Sequence, residues 1–359
     1  MTEVGSPVHV YDPVHLDREN LAGKALELWH EKNQKAWKIT SAAQKTNLLE
    51  DFNGTIESLE ISLSTGNAAL LIDYIRWLEV FASSRQYPED YVSSLLTVLK
   101  IVIGKELPAD RRAEALSMVR KSAGAMVKAP VSVPSFIRNE EAHAAFAHSY
   151  LEALLQGDRD RATLIIDQAA GSGVAVRDIY LNVILPVLRE TGRLWQLQKI
   201  TIAEEHYISA SVLLAVLRLH DRILATKGES RHRTLVAASV ANEFHDIGIR
   251  IVADFFEMDG WTAYFTGANT PAESLLSTVR ERKPEVLAIS VTMASHIPVV
   301  HYLIRSIRGD PRTERVKVLV GGYPFSIVPL LWKQVGADAY ALDPDEAVRT
   351  MNRLIEMER

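Results

Sequence analysis

Thr234-Leu-Val-Ala-Ala-Ser-Val240 is a short apolar run closed by polar residues, and Ala241-Asn-Glu-Phe-His-Asp-Ile-Gly248 follows it directly. A run of this length reads as a buried strand, and Ile247–Met258 behind it carries the spacing of an amphipathic helix. The same unit recurs downstream. Thr262–Thr266, Val286–Val291, Val316–Val320 and Ala339–Leu342 are further short apolar runs, with the helical stretch Ala272–Arg282 between two of them. Strand and helix alternating at this spacing predict a doubly wound, parallel, five-stranded sheet of the flavodoxin or Rossmann type over residues 229–359.

Residues 136–228, upstream of the sheet, carry helical periodicity. Four helices fit, at about 139–156, 159–170, 175–193 and 201–226, with Gly157-Asp158 and Gly171-Ser172-Gly173 as helix ends. Short connections favour an antiparallel four-helix bundle. Lys128-Ala-Pro-Val-Ser-Val-Pro-Ser135 before it reads as an extended linker. Residues 1–130 read as a separate helical domain, with Leu70, Leu71, Tyr74, Ile75 and Leu78, then Val92, Leu95, Leu96 and Leu99, at helical spacing. Pro88 suits the first turn of the second of these helices, with Gln86-Tyr87 as the connection.

A chain of 359 residues fits two or three domains. Its net charge of -5 gives no general attraction to nucleic acid or to an anionic membrane. The first 128 residues offer no basic recognition helix, and Arg111-Arg112 and Arg120-Lys121 read as solvated faces. Cysteine is absent, which excludes disulfides, thiolate metal sites, a cysteine nucleophile and thioether attachment of a pigment. The opening MTEVGSPVHVYDPVHL lacks the basic and apolar regions of a secretion signal, and no apolar run approaches the roughly 18 residues of a membrane span. A cytoplasmic protein with neither a membrane nor a nucleic-acid partner is expected.

A doubly wound sheet binds ligands beyond the carboxyl ends of its strands. The loop after the first strand has no glycine-rich phosphate cradle; it offers His245 between Glu243 and Asp246. Such an imidazole can ligate a metal through one nitrogen while a carboxylate holds the proton on the other. From the loop alone, a polar turn residue without a task is an equal reading. Three ordered motifs add to it. Glu243-Phe244-His245-Asp246-Ile247-Gly248 resembles the Asp-x-His-x-x-Gly loop of the cobalamin-binding domain family, with Glu for Asp. Ser290-Val291-Thr292 and Gly321-Gly322 resemble that family's later signatures, and Gly336-Ala-Asp-Ala-Tyr340 its approach to the last strand. The resemblance implies that His245 is the lower axial ligand of cobalt, with Glu243 as its partner. It also implies that Ser290, Thr292, Gly321 and Gly322 flank the nucleotide tail.

Within the helical segment, Trp195 is followed after nine residues by Glu205-His206. This is similar to the CarH-type adenosylcobalamin photoreceptors, and implies that Trp195 covers the upper face while Glu205 and His206 contact the adenosyl group. Gln196 stands where that group has a histidine. The whole layout resembles the photocobilins, which implies non-covalent biliverdin near Trp37, Tyr74, Trp77 or Phe81; plain helix packing is the other reading of those rings. The expected function is therefore a light sensor rather than an enzyme, signalling to a downstream protein or through a homo-oligomer. The alternative is a corrinoid carrier of a cobalamin-dependent methyltransferase system. A radical mutase needs a barrel of about 250 residues, which the helical upstream segments do not supply.

Overall fold

The computed structural model describes residues 10–34, 42–126, 133–226, 228–328 and 330–357. The chain divides into two compact units, each discontinuous in sequence. The first comprises Met1–Val131, Val291–Ile304 and Gly322–Ala337; the second comprises Ser132–Ser290, Arg305–Gly321 and Asp338–Arg359.

In the first unit, α1 (Arg18–Lys32), α2 (Ala42–Thr65), α3 (Ala69–Ser84), α4 (Tyr91–Glu106) and α5 (Ala109–Met126) follow one another. Phe52, Ile56 and Leu59 of α2, Leu71, Ile75 and Leu78 of α3, and Leu95 and Leu99 of α4 are fully buried. Their three-and-four spacing puts each set on one face, and burial of those faces against each other holds the helices together. Pro88 stands outside α4: its carbonyl accepts the Tyr91 amide at 2.9 Å, in a turn that precedes the helix. Of the expected linker only residues 133–135 are described; residues 128–132 and Trp37 lie outside the described residues.

Two segments that follow sheet strands complete this unit. Tyr323 Oη donates to Asp73 Oδ1 at 2.9 Å, and Gln334 Nε2 donates to the Thr65 carbonyl at 3.3 Å. The Tyr11 ring lies 4.7 Å from that of His301. Tyr74, Trp77 and Phe81 form a stacked ladder along α3, with centroid separations of 6.0 and 4.9 Å.

One carboxylate of this unit should govern its acid response. Asp51 accepts a hydrogen bond from Tyr91 Oη at 2.5 Å, and burial lifts its pKa to about 6. The folded state thus holds this proton more tightly than the unfolded chain, whose aspartates titrate near 3.9. The contribution is fully present below about pH 4 and lost as the pH rises through 6, about 3 kcal/mol in all. In denaturant titrations Asp51→Asn should match the native chain at pH 4 and exceed its stability at pH 7.5. A difference independent of pH would refute this account.

The second unit opens with α6 (Ala144–Leu155), α7 (Arg159–Gly171), α8 (Val176–Ile179), a π-helical turn (Tyr180–Ile184), α9 (Leu185–Gln196) and α10 (Ile202–Thr226). These occupy the four expected helical stretches. Gly157 turns the chain at φ +73°, and Asp158 then caps α7 by accepting the Arg161 amide at 2.9 Å. The π turn precedes Pro186, which has no amide hydrogen to give and whose ring crowds the preceding turn.

The unit's sheet holds β1 (Thr234–Ser239), β2 (Thr262–Phe265), β3 (Val286–Ser290), β4 (Lys317–Gly321) and β5 (Ala339–Ala341). All pairs are parallel, in the order β2-β1-β3-β4-β5. The intervening helices are α11 (Ile247–Met258), α12 (Ala272–Arg282), α13 (Ile297–Arg308), the short α14 (Tyr323–Ile327) and α15 (Leu331–Gln334), and finally α16 (Pro344–Glu356). Leu235–Ala238, Val286–Ile289 and Val318–Val320 are buried throughout, as parallel strands covered on both faces require. The fold class is thus the one predicted: helical N-terminal regions and a doubly wound parallel sheet. Among the described residues no helix is long and apolar enough to cross a membrane.

Candidate functional site

The strand order reverses direction between β1 and β3, and at such a switch point the loops diverge to leave a crevice at the carboxyl edge. The register places Ser239, Ser290, Gly321 and Ala341 in one row across β1, β3, β4 and β5 at that edge. Four small residues in a row leave room for a ligand to approach the backbone. The motifs had singled out Ser290 and Gly321; Ser239 and Ala341 join them only through the strand pairing.

The loop after β1 rises from this row. Ser239 Oγ donates to the His245 carbonyl at 3.3 Å. Asn242, at φ +65°, gives its amide to Asn269 Oδ1 at 2.8 Å, and the Asn269 amide returns to the Glu243 carbonyl at 2.9 Å. The loop is therefore fastened to the one that follows β2. Glu243 is fully buried, and its Oε1 accepts both the His245 amide at 3.0 Å and His245 Nδ1 at 2.6 Å. Glutamate in place of aspartate thus still reaches the ring.

A carboxylate at that distance holds the proton on Nδ1 and leaves Nε2 as the ring's acceptor. The hydrogen bond that His245 donates to Glu243 raises the His245 pKa; burial opposes it, and the Glu243, Glu205 and Asp246 charges add to it. The His245 side chain remains 61% exposed. Phe244 is exposed beside it, Ile247 packs against the core, and Gly248 stands in the first turn of α11, where a Cβ would meet nothing within 4 Å. Burial lifts the pKa of Asp246, which precedes that helix.

Glu205 lies on the first turn of α10, and its charge is felt at His245, so the structure brings these two predicted residues together. Glu205 Oε2 pairs with His206 Nδ1 at 2.6 Å, and Oε1 accepts from Ser209 Oγ at 2.7 Å. Trp195 packs half-buried against the core shared by bundle and sheet, and Gln196 beside it is buried. Thr292 and Gly322 fall in the first unit. Gly322 has φ +100°, and a Cβ there would stand 1.8 Å from the Val291 carbonyl oxygen.

Residues 233–350 match the B12 binding domain family, and residues 147–219 match a second family of the same description. A dimethylamine corrinoid protein of Methanosarcina acetivorans is 24% identical over 169 residues, 47% of this chain and 78% of that protein. A trimethylamine corrinoid protein of Methanosarcina barkeri is 22% identical over 202 residues, 55% of this chain and 90% of that protein. Among solved structures, the Methanosarcina barkeri monomethylamine corrinoid protein gives a TM-score of 0.53 at 19% identity, covering 59% of this chain and 100% of that one. That likeness is one of fold.

These relatives overturn the expected light sensor and its downstream signalling partner, and favour the corrinoid carrier instead. They support a corrinoid cofactor and give the adenosyl form and biliverdin no support. The photoreceptor reading rested on the spacing of Trp195, Glu205 and His206 and on the extra helical domain upstream. The Glu205–His206 pair is one that neighbouring residues on a helix can form without any ligand. Of the rings assigned to biliverdin, Tyr74, Trp77 and Phe81 stack on one another, and Arg85 lies 3.5 Å over Phe81.

Proposed function

We propose that this chain, a cobalamin-binding protein by its B12 binding domains, is a corrinoid carrier that passes a methyl group between methyltransferase partners. The observation that carries the corrinoid assignment is His245, clamped at Nδ1 by buried Glu243 and standing at the rim of a row of small residues. The carrier role rests on the corrinoid relatives, most of whose own length the chain covers. A carrier has no catalytic residues of its own, and we read the chain as a non-enzyme.

The residues fit the group. Nothing in the chain itself demands glycine at 321, since a Cβ there meets only the Ala341 carbonyl oxygen at an ordinary 3.4 Å. A ligand needing close approach along the row would account for it. When bound, the corrinoid would supply a cobalt able to carry a methyl group. His245 Nε2 would ligate the cobalt, and Glu243 would keep the ring in the tautomer that can do so. Ser239 and Ser290 would offer hydroxyls beside the nucleotide tail, with Gly321 of the same row leaving it room. Phe244, Asp246, Ile247 and Gly248 shape the lower loop, and Trp195, Glu205 and His206 border the upper face.

In this reading residues 1–130 are a helical domain, 136–228 the cap and 229–359 the cofactor domain. The upper ligand is methyl rather than adenosyl, and the setting is cytoplasmic, as the absence of cysteine suits.

Reduced holoprotein should gain a methyl group, followed by its visible spectrum, when a methylated amine and its methyltransferase are both supplied. No methylation from mono-, di- or trimethylamine with their methyltransferases, in a protein that still binds cobalamin, would overturn the carrier role while sparing the binding site.

A further inference from the structure

Away from the carboxyl edge of the sheet, α10 and α11 meet around a second cluster of polar side chains. His220 projects from α10; Asp254 and Glu257 stand one turn apart on α11. His220 Nδ1 lies 3.3 Å from Asp254 Oδ1 and 3.6 Å from Glu257 Oε2, and the three ligand atoms lie within 4.8 Å of one another. We infer that these three residues form a site for a divalent transition-metal ion, zinc by preference, that ties the bundle to the sheet.

Three observations support it. First, Nδ1 is shut off from solvent yet makes no hydrogen bond, although two carboxylates face it. A proton on that nitrogen would be drawn into line with one of them. Secondly, the spacing suits a metal. Bonds of about 2.0–2.1 Å from a tetrahedral zinc put its ligand atoms about 3.3–3.4 Å apart. One imidazole with two carboxylates is a donor set for zinc rather than for magnesium or calcium, which take oxygen.

Thirdly, one carboxylate of the cluster is deeply buried and turns an oxygen towards His220 Nδ1. Asp254 is 1% exposed. Its Oδ2 accepts from Tyr180 Oη at 2.7 Å and its Oδ1 from Arg250 Nε at 3.2 Å. Arg250 occupies one lone-pair direction of Oδ1, and the other serves the metal. Three protein ligands leave the fourth position to water.

The test uses tag-free full-length protein loaded with cobalamin, dialysed with zinc and then against metal-free buffer. Elemental analysis should give about one zinc per chain beside the corrinoid cobalt. His220→Gln and Glu257→Gln should each bring zinc to background with cobalt unchanged, and added zinc should raise the melting temperature of the native chain alone. Glu257→Gln, at the partly exposed edge, keeps the test decisive should His220→Gln fail to fold. Background zinc in the native chain, or zinc retained by both variants, would overturn the site.

Discussion

Replacing His245 by alanine is expected to weaken cobalamin binding to the full chain by at least about a hundredfold, since it removes a metal ligand and not a peripheral contact. The spectrum of the residual complex should shift as the lower position loses its imidazole. Protein made with nitrogen-15 histidine supplies the direct readout. In the cobalt(II) form, the electron-spin signal of the native protein should carry the splitting of the labelled nucleus, and that of His245→Ala should not.

Glu243→Gln tests the clamp separately. An amide at 243 cannot hold the Nδ1 proton as a carboxylate does at 2.6 Å, and loss of such a partner costs about 10–100-fold in metal affinity. In the cofactor-free chain the His245 ring should titrate above the ordinary histidine range, and Glu243→Gln should lower it. The sign for ligation follows. As pH falls through that raised value, Nε2 takes up a proton and loses its lone pair, so binding weakens on the acid side. Undiminished affinity in His245→Ala, with an unaltered spectrum and splitting, would remove the assignment.

The sheet was legible in the sequence because buried parallel strands are apolar on every residue and their helices keep a strict apolar face. Ile247–Met258 and Ala272–Arg282 are helices with the limits their periodicity predicts. His245 was legible too, through the motif around it. What sequence spacing does not carry is pairing. Ser239 and Ala341 share a row with Ser290 and Gly321 only once the register is known. Tyr323 and Asp73, 250 residues apart, are hydrogen-bonded in a unit assembled from three separate segments of the chain.

His220 and Asp254 likewise meet only because α10 packs on α11. The functional misreading has a related cause. Trp195 at the end of α9 and Glu205 and His206 in the first turn of α10 flank one helix connection, whereas the matched B12 binding domains are shared with corrinoid proteins.

The adjacent glycines separate what the fold needs from what a ligand needs. Gly322 sits at φ +100° and ψ 176°, a region that residues with a Cβ avoid, and its neighbour across the gap is a carbonyl oxygen that cannot swing away. Gly322→Ala should therefore destabilise the cofactor-free chain by about 3 kcal/mol or more, read as a lower denaturation midpoint. Gly321 has no such constraint. A methyl group there rests at ordinary contact distance from Ala341, and alanine is the better strand residue, so Gly321→Ala should leave the cofactor-free stability within about 1 kcal/mol of native. Its cost should fall on binding. The added methyl stands in the row where the nucleotide tail is proposed to run, and a forced shift of a buried ligand there should reduce cobalamin affinity by about tenfold or more. A Gly321→Ala protein that binds cobalamin like the native chain would move the tail off this row. A Gly322→Ala protein as stable as native would show that Val291 and its strand end can yield. Only the combination of a stable, binding-deficient Gly321→Ala and an unstable Gly322→Ala matches a trough whose floor is set by the backbone and whose width is kept for the cofactor.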